Sequence, residues 1–157
     1  MSEPARVLIV EDERGLREGL LSACERLGYQ GLPAAGLAEA RQLLSQHSVA
    51  CVLLDIRLKD GDGLDFLAEL QKGATRSVPV IIATAYGDSE RTIRAMRDGA
   101  FDYVTKPFHL PTLLASVERA VKQRELTEAL PPMPLPVKAV SGASSLRSVV
   151  SPSIAKS

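Results

Sequence analysis

The chain is short of long apolar runs, of net charge, of cysteine and of histidine. In its 157 residues no apolar stretch approaches the roughly 20 residues that a membrane-spanning helix needs. The N-terminus also lacks the apolar core of a signal peptide, so a soluble, cytoplasmic protein with no membrane partner is expected. The formal net charge is zero, which removes any general electrostatic attraction to nucleic acid. That balance hides an asymmetry. Residues 131–157 hold Lys138, Arg147 and Lys156 and no acid, which leaves the rest of the chain three charges negative. Cys24 and Cys51 fall inside apolar segments and read as buried, reduced thiols of a reducing compartment. His47 and His109 lack metal-ligand spacing and read as surface residues. No helix-turn-helix, ATPase signature or other effector motif follows the last predicted helix.

What the chain does have is a series of short apolar runs, each followed by a chemically capable residue. Val7-Leu8-Ile9-Val10 precedes Glu11 and Asp12. Cys51-Val52-Leu53-Leu54 precedes Asp55, Val80-Ile81-Ile82-Ala83 precedes Thr84, and Tyr103-Val104-Thr105 precedes Lys106-Pro107. Runs this short and apolar predict strands buried on both faces of a parallel sheet. In such a sheet the ligand crevice lies outside the carboxyl ends of the strands, so residues far apart in sequence converge on one edge. Three carboxylates, a hydroxyl and a lysine in one crevice suit a hard divalent cation and a phosphoryl group.

Helical patterns alternate with these strands. Leu16, Leu20, Cys24 and Leu27 recur at helical spacing, and Gly28 is placed to cap that helix. Segments 37–46, 63–72, 89–97 and 111–130 read as further helices. The strand near residues 29–34 is the weakest, because glycine and proline interrupt it. Pro79 can open the fourth strand. Five strand–helix alternations predict βαβ units with right-handed crossovers. From Pro131 the prolines stop the helix, and a flexible Pro/Ser-rich basic tail is expected over 131–157 after a domain over 1–130.

The constellation resembles the receiver domain of two-component response regulators. The resemblance rests on Val7 to Glu13, on Leu54-Asp55-Ile56-Arg57-Leu58 with Gly63, on Ile82-Ala83-Thr84-Ala85, and on Gly99 to Phe108, and it covers roughly residues 5–128. It implies an α/β, flavodoxin-like, doubly wound fold: a five-stranded parallel sheet in the order 2-1-3-4-5 with helices on both faces. It also implies a signalling switch that accepts a phosphoryl group from a sensor histidine kinase or phosphotransfer protein onto Asp55, with Mg2+ as cofactor. By resemblance Asp12 and Asp55 ligate the metal directly, Glu11 acts through water, and the backbone carbonyl of Arg57 completes the set. Receivers more often carry aspartate where this chain has Glu11. Lys106 would bind a phosphoryl oxygen, and Thr84 would donate its hydroxyl. Tyr103 would swing inward as Thr84 moves. Output to a downstream protein or a homodimer would pass through the fourth helix, fifth strand and last helix, with no direct nucleic-acid binding by this chain.

Other readings compete with this one. A hydrolase working through an aspartyl phosphate needs a second aspartate two residues after the nucleophile, and Arg57 stands there. Asp60-Gly61-Asp62-Gly63 invites a calcium-loop reading, but a loop starting at Asp60 has Asp65 where glycine is required and Gln71 where glutamate is required. The stretch Arg94 to Tyr103 and the long last helix look like transcriptional regulators of the enhancer-binding class, so a receiver fragment of a larger DNA-binding regulator remains an alternative. Arg57, Ala85 and Tyr86 border the phosphoryl position in receivers. Two large side chains around a small one predict ready phosphorylation and slow loss of the phosphoryl group.

Overall fold

The computed structural model describes residues 3–85 and 87–129, with side chains through Thr127. Tyr86 and the proline-rich segment from Pro131 therefore lie outside the described residues. The elements run β1 (Arg6–Val10), α1 (Arg14–Arg26), β2 (Gln30–Ala34), α2 (Leu37–Gln46), β3 (Cys51–Asp55), α3 (Gly63–Leu70), β4 (Val80–Ala85), α4 (Ser89–Arg97), β5 (Asp102–Lys106) and α5 (Leu110–Ala129). The strands form one five-stranded sheet in the order β2-β1-β3-β4-β5, and every neighbouring pair is parallel. This is the doubly wound order that the resemblance implies. Among the described residues no helix is long and apolar enough to cross a membrane.

Alternation along the strands divides the core into two layers. Leu8, Val10, Val52, Leu54, Val80 and Ile82 point to one face, where they pack with Leu37, Leu64, Phe66, Leu67 and Ala95 of α2, α3 and α4. Val7, Ile9, Cys51, Leu53, Ile81 and Ala83 point to the other, against Leu20 and Cys24 of α1 and Leu113, Val117 and Val121 of α5. β1 and β3 are thus apolar at successive positions because both faces are covered. Both cysteines are buried free thiols, and burial raises the pKa of each, Cys24 to about 11.

Two features separate the structure from the pattern of the sequence. β2 forms although Pro33 lies within it. β2 is an edge strand hydrogen-bonded to β1 alone, and an edge tolerates a residue with no amide hydrogen. After β3 the chain does not run directly into a helix. Arg57–Leu58 pairs antiparallel with Gly61–Asp62 in a miniature hairpin, and Gly63 then opens α3 hard against the end of β3. A Cβ at Gly63 would stand 2.5 Å from the Asp55 carbonyl oxygen. Gly28 ends α1 at φ 90°. Its amide reaches the Glu25 carbonyl at 2.9 Å and that of Tyr29 the Cys24 carbonyl at 3.1 Å, the paired bonds of a Schellman cap.

Candidate functional site

Parallel strands all end on the same edge, and that edge gathers the acids. Asp55 is the last residue of β3, and Glu11 and Asp12 follow β1 directly. One carboxylate oxygen from each of the three lies within 4.8 Å of the others. Glu11 and Asp55 are buried. Lys106, at the end of β5, places its Nζ 2.8 Å from Asp55 Oδ2 and 2.9 Å from Glu11 Oε1. The Lys106–Pro107 peptide bond is cis.

Backbone amides hold the carboxylates in place. Asp55 Oδ1 accepts from the Arg57 amide at 3.1 Å, Asp12 Oδ2 from the Lys59 amide at 3.1 Å, and Glu11 Oε2 from the Glu13 amide at 3.0 Å. Arg17 donates to the Glu11 carbonyl at 2.8 Å. Burial pushes the Glu11 carboxyl above the usual carboxylate range. Its bonds to Lys106 and the Glu13 amide offset this only partly, and the Asp55 charge adds to the rise. For Lys106, burial acts to lower the pKa, but its bonds to Asp55 and Glu11 outweigh burial and raise it. Lys106 is therefore a fixed ammonium. Three carboxylates against one ammonium leave an excess of negative charge of the kind that could hold a divalent cation.

Thr84 is buried in β4, one position past Ala83, the register partner of Asp55. It lines a cavity of about 420 Å³ with Asp88, Thr92, Ile93, Met96 and Tyr103. Tyr103 is 47% exposed. Ala85 is exposed and pairs in register with Lys106. The Arg57 side chain contacts Asp88, at 3.3 Å. Direct contacts thus join Glu11, Asp55 and Lys106, with Asp12 beside them, while Thr84 and Tyr103 share the neighbouring cavity. Tyr86, the remaining residue expected to border the crevice, lies outside the described residues.

A second group of acids stands nearby with a different role. Asp60 accepts from the Leu37 and Ala38 amides at the start of α2, where Gly36 offers no side-chain cap. Asp62 caps α3 through the Leu64 amide at 2.8 Å and receives Arg91 at 2.6 Å. The two backbone amides lower the pKa of Asp60. Burial acts to raise that of Asp62, but Arg91 and the Leu64 amide outweigh it and hold it low. The sequence pattern assigns no part to Asp88 or Arg91, because their hydrogen-bonded side-chain partners, Arg57 and Asp62, lie 31 and 29 residues away in the chain.

A parallel sheet of this order, with acids and a lysine at its carboxyl edge, defines the receiver class, and the chain belongs to the response regulator receiver domain family, whose model matches residues 7–118. Among curated relatives it is 38% identical over 125 residues to the regulatory protein AtoC of Escherichia coli K12, covering 80% of this chain and 27% of that protein. It is 38% identical over 119 residues to the response regulator protein PilR of Pseudomonas aeruginosa, with 76% and 26% covered. It is 34% identical to the phosphate regulon transcriptional regulatory protein PhoB of Escherichia coli K12, with 75% and 52% covered. The chain thus spans between a quarter and about half of the length of these relatives. Among solved structures it resembles a response regulator receiver domain protein from Clostridium thermocellum (TM-score 0.73, 29% identity, 78% of this chain and 98% of that one). It also resembles NtrX from Brucella abortus (TM-score 0.74, 29% identity, 80% and 29%).

Proposed function

We infer that the chain is a phosphorylation-dependent switch in which Asp55 accepts a phosphoryl group from a histidine kinase or phosphotransfer protein. The observation that carries this reading is the shared lysine. Lys106 lies within 2.9 Å of both Asp55 and Glu11, so a fixed cation stands where a phosphoryl oxygen would arrive. An Asp55 oxygen attacks the phosphorus of a phosphohistidine or acyl phosphate. The new O–P bond forms as the bond to the leaving group breaks, and the leaving group keeps the electron pair.

The donor set fits magnesium. Its ligands would all be oxygens, from Asp12, Asp55 and the Arg57 carbonyl, with Glu11 acting through water. Bound there, the metal supplies charge neutralisation and alignment for the incoming phosphoryl group. The chain's own residues orient the nucleophile through the Arg57 amide and hold Lys106 ready for the transferred charge. Thr84 donates its hydroxyl to the phosphoryl group, and Tyr103 turns inward from its exposed position as Thr84 moves. Output passes through α4, β5 and α5, where Ile93, Met96 and Tyr103 are exposed and Arg94, Glu118 and Arg119 add charge. The transcriptional regulators among the longer relatives support a partner or tethered effector that reads this face. Arg57 and Tyr86 slow loss of the phosphoryl group. Arg57→Asn with Tyr86→Ala should speed dephosphorylation several-fold, on the order of 1 kcal/mol in barrier.

Incubation with acetyl phosphate and magnesium tests the reading. One phosphoryl group per chain by intact mass, lost in Asp55→Asn, is the expected result. Equal uptake by Asp55→Asn overturns it.

A further inference from the structure

Four ionisable side chains form a chain of ion pairs beside the crevice. Arg57 Nε lies 3.3 Å from Asp88 Oδ2, and Arg91 Nε lies 3.8 Å from the same oxygen. Arg91 Nη2 contacts Asp62 Oδ1 at 2.6 Å. Asp88 is the N-cap residue of α4, where a carboxylate ordinarily accepts from amides of the first turn. Here it makes no such bond. Its side chain, 12% exposed, faces the two arginines instead. Arg91 Nε is fully buried and has no hydrogen-bond partner. At 3.8 Å, Asp88 is too far to serve it.

We propose that Asp88 is a shared carboxylate with two settings, held by Arg57 when Asp55 is free and by Arg91 when Asp55 carries a phosphoryl group. The proposal rests on the reading of Asp55 as phosphoacceptor. Arg57 is the loosest member of the chain, since its side chain is 69% exposed, and an exposed pair of this kind contributes little. Its amide already bonds Asp55 Oδ1, so its backbone stands beside the group to be modified and its side chain has only to turn from Asp88 to reach it. A phosphoryl group offers a guanidinium a doubly charged, bidentate partner in place of one carboxylate oxygen. Once Arg57 leaves, Asp88 can close on Arg91 Nε and satisfy the buried donor. Leaving such a donor unpaired is unfavourable, so the second setting offsets what the first loses.

The exchange has a route to the output face. Thr92 bonds the Asp88 carbonyl through its amide and its hydroxyl, so the first turn of α4 moves with Asp88. Asp88 and Thr92 line the cavity that holds Thr84 and Tyr103. A charge relay through Arg57 and Asp88 therefore acts on the same cavity that Thr84 lines.

Side-chain NMR of the Arg91 Nε–Hε group in the full chain reads the exchange directly. Beryllofluoride with magnesium should move this resonance downfield, as expected for a new hydrogen bond to a carboxylate. Arg57→Gln should show the shifted position without beryllofluoride, and Asp88→Asn should abolish the shift in both backgrounds. An Arg57→Gln resonance at the parent's position overturns the sharing of Asp88. If beryllofluoride moves the Arg57 backbone amide but not Arg91 Nε–Hε, the exchange fails alone. If the Arg57 amide also stays in place, the phosphoacceptor reading fails and the exchange falls with it.

Discussion

Two acidic clusters lie a few residues apart on the same edge of the sheet, and they are built in opposite ways. Asp60 and Asp62 each accept amides at a helix start, and their pKa values are lowered. Glu11, Asp12 and Asp55 cap no helix, crowd within 4.8 Å of one another, and include a carboxyl whose pKa is raised. The first pair is bonded into the fold and stabilises it. The second set is held together against its own repulsion and balanced by Lys106 alone among the described residues. Acid content does not separate the clusters. The difference lies in whether the carboxylates face peptide amides at a helix end or one another.

Substitutions can break this contrast, and the largest effect should come where the clusters meet. A Cβ at Gly63 would clash with the Asp55 carbonyl at 2.5 Å and the Ile56 Cα at 2.8 Å. Because these are backbone atoms, Gly63→Ala should destabilise the fold by about 3 kcal/mol, measured by urea denaturation. Asp62→Ala removes the α3 cap and the partner of Arg91, and should cost about 2 kcal/mol. A loss no greater than that of a neutral surface substitution would refute the capping role.

The crevice acids should behave differently. Without magnesium, Asp12→Asn should leave stability within about 0.5 kcal/mol of the parent, because it relieves repulsion while keeping an acceptor for the Lys59 amide. With magnesium at ten times Kd the parent should gain about 1.4 kcal/mol, and Asp12→Asn should lose most of that gain. Equal gains in thermal denaturation would remove Asp12 from the metal site.

The smallest expected effect is a pH dependence. Asp60 and Asp62 have folded pKa values below the ordinary 3.8. Their contribution is therefore present above pH 3.8 and is lost as pH falls through 3.8 towards the folded values. Unfolding curves of the parent should show this decline below pH 3.8, and an Asp60→Asn, Asp62→Asn double variant should show less of it.

Much of this was legible in the sequence, for identifiable reasons. Helices α2 and α4 occupy the predicted residues 37–46 and 89–97, since Gly36 precedes the first and Gly87 and Gly99 lie just outside the second. Strands buried on both faces announce themselves as continuous apolar runs. β3 starts with the apolar run at Cys51 and continues one residue past it to Asp55, because its ladder with β4 goes on to pair Asp55 with Ala83. Helix α3 stops at Leu70, before a single 3-10 turn over Gly73–Thr75. The miniature hairpin left no signal, being two residues per strand. Nor did the roles of Asp60, Asp88 and Arg91. Asp60 was visible as an acid, but its partner amides stand 22 and 23 residues earlier, and local patterning carries no trace of such a cap.

The central claim is that the crowded acids, and not the capping ones, carry the chemistry, with Asp55 as the acceptor. Reaction with acetyl phosphate and magnesium, followed by borohydride reduction and peptide mass spectrometry, converts an aspartyl phosphate to homoserine and so marks the residue. The account predicts homoserine at position 55 and at no other acid. Homoserine at Asp12, Asp60 or Asp62, or its undiminished appearance in Asp55→Asn, would contradict it.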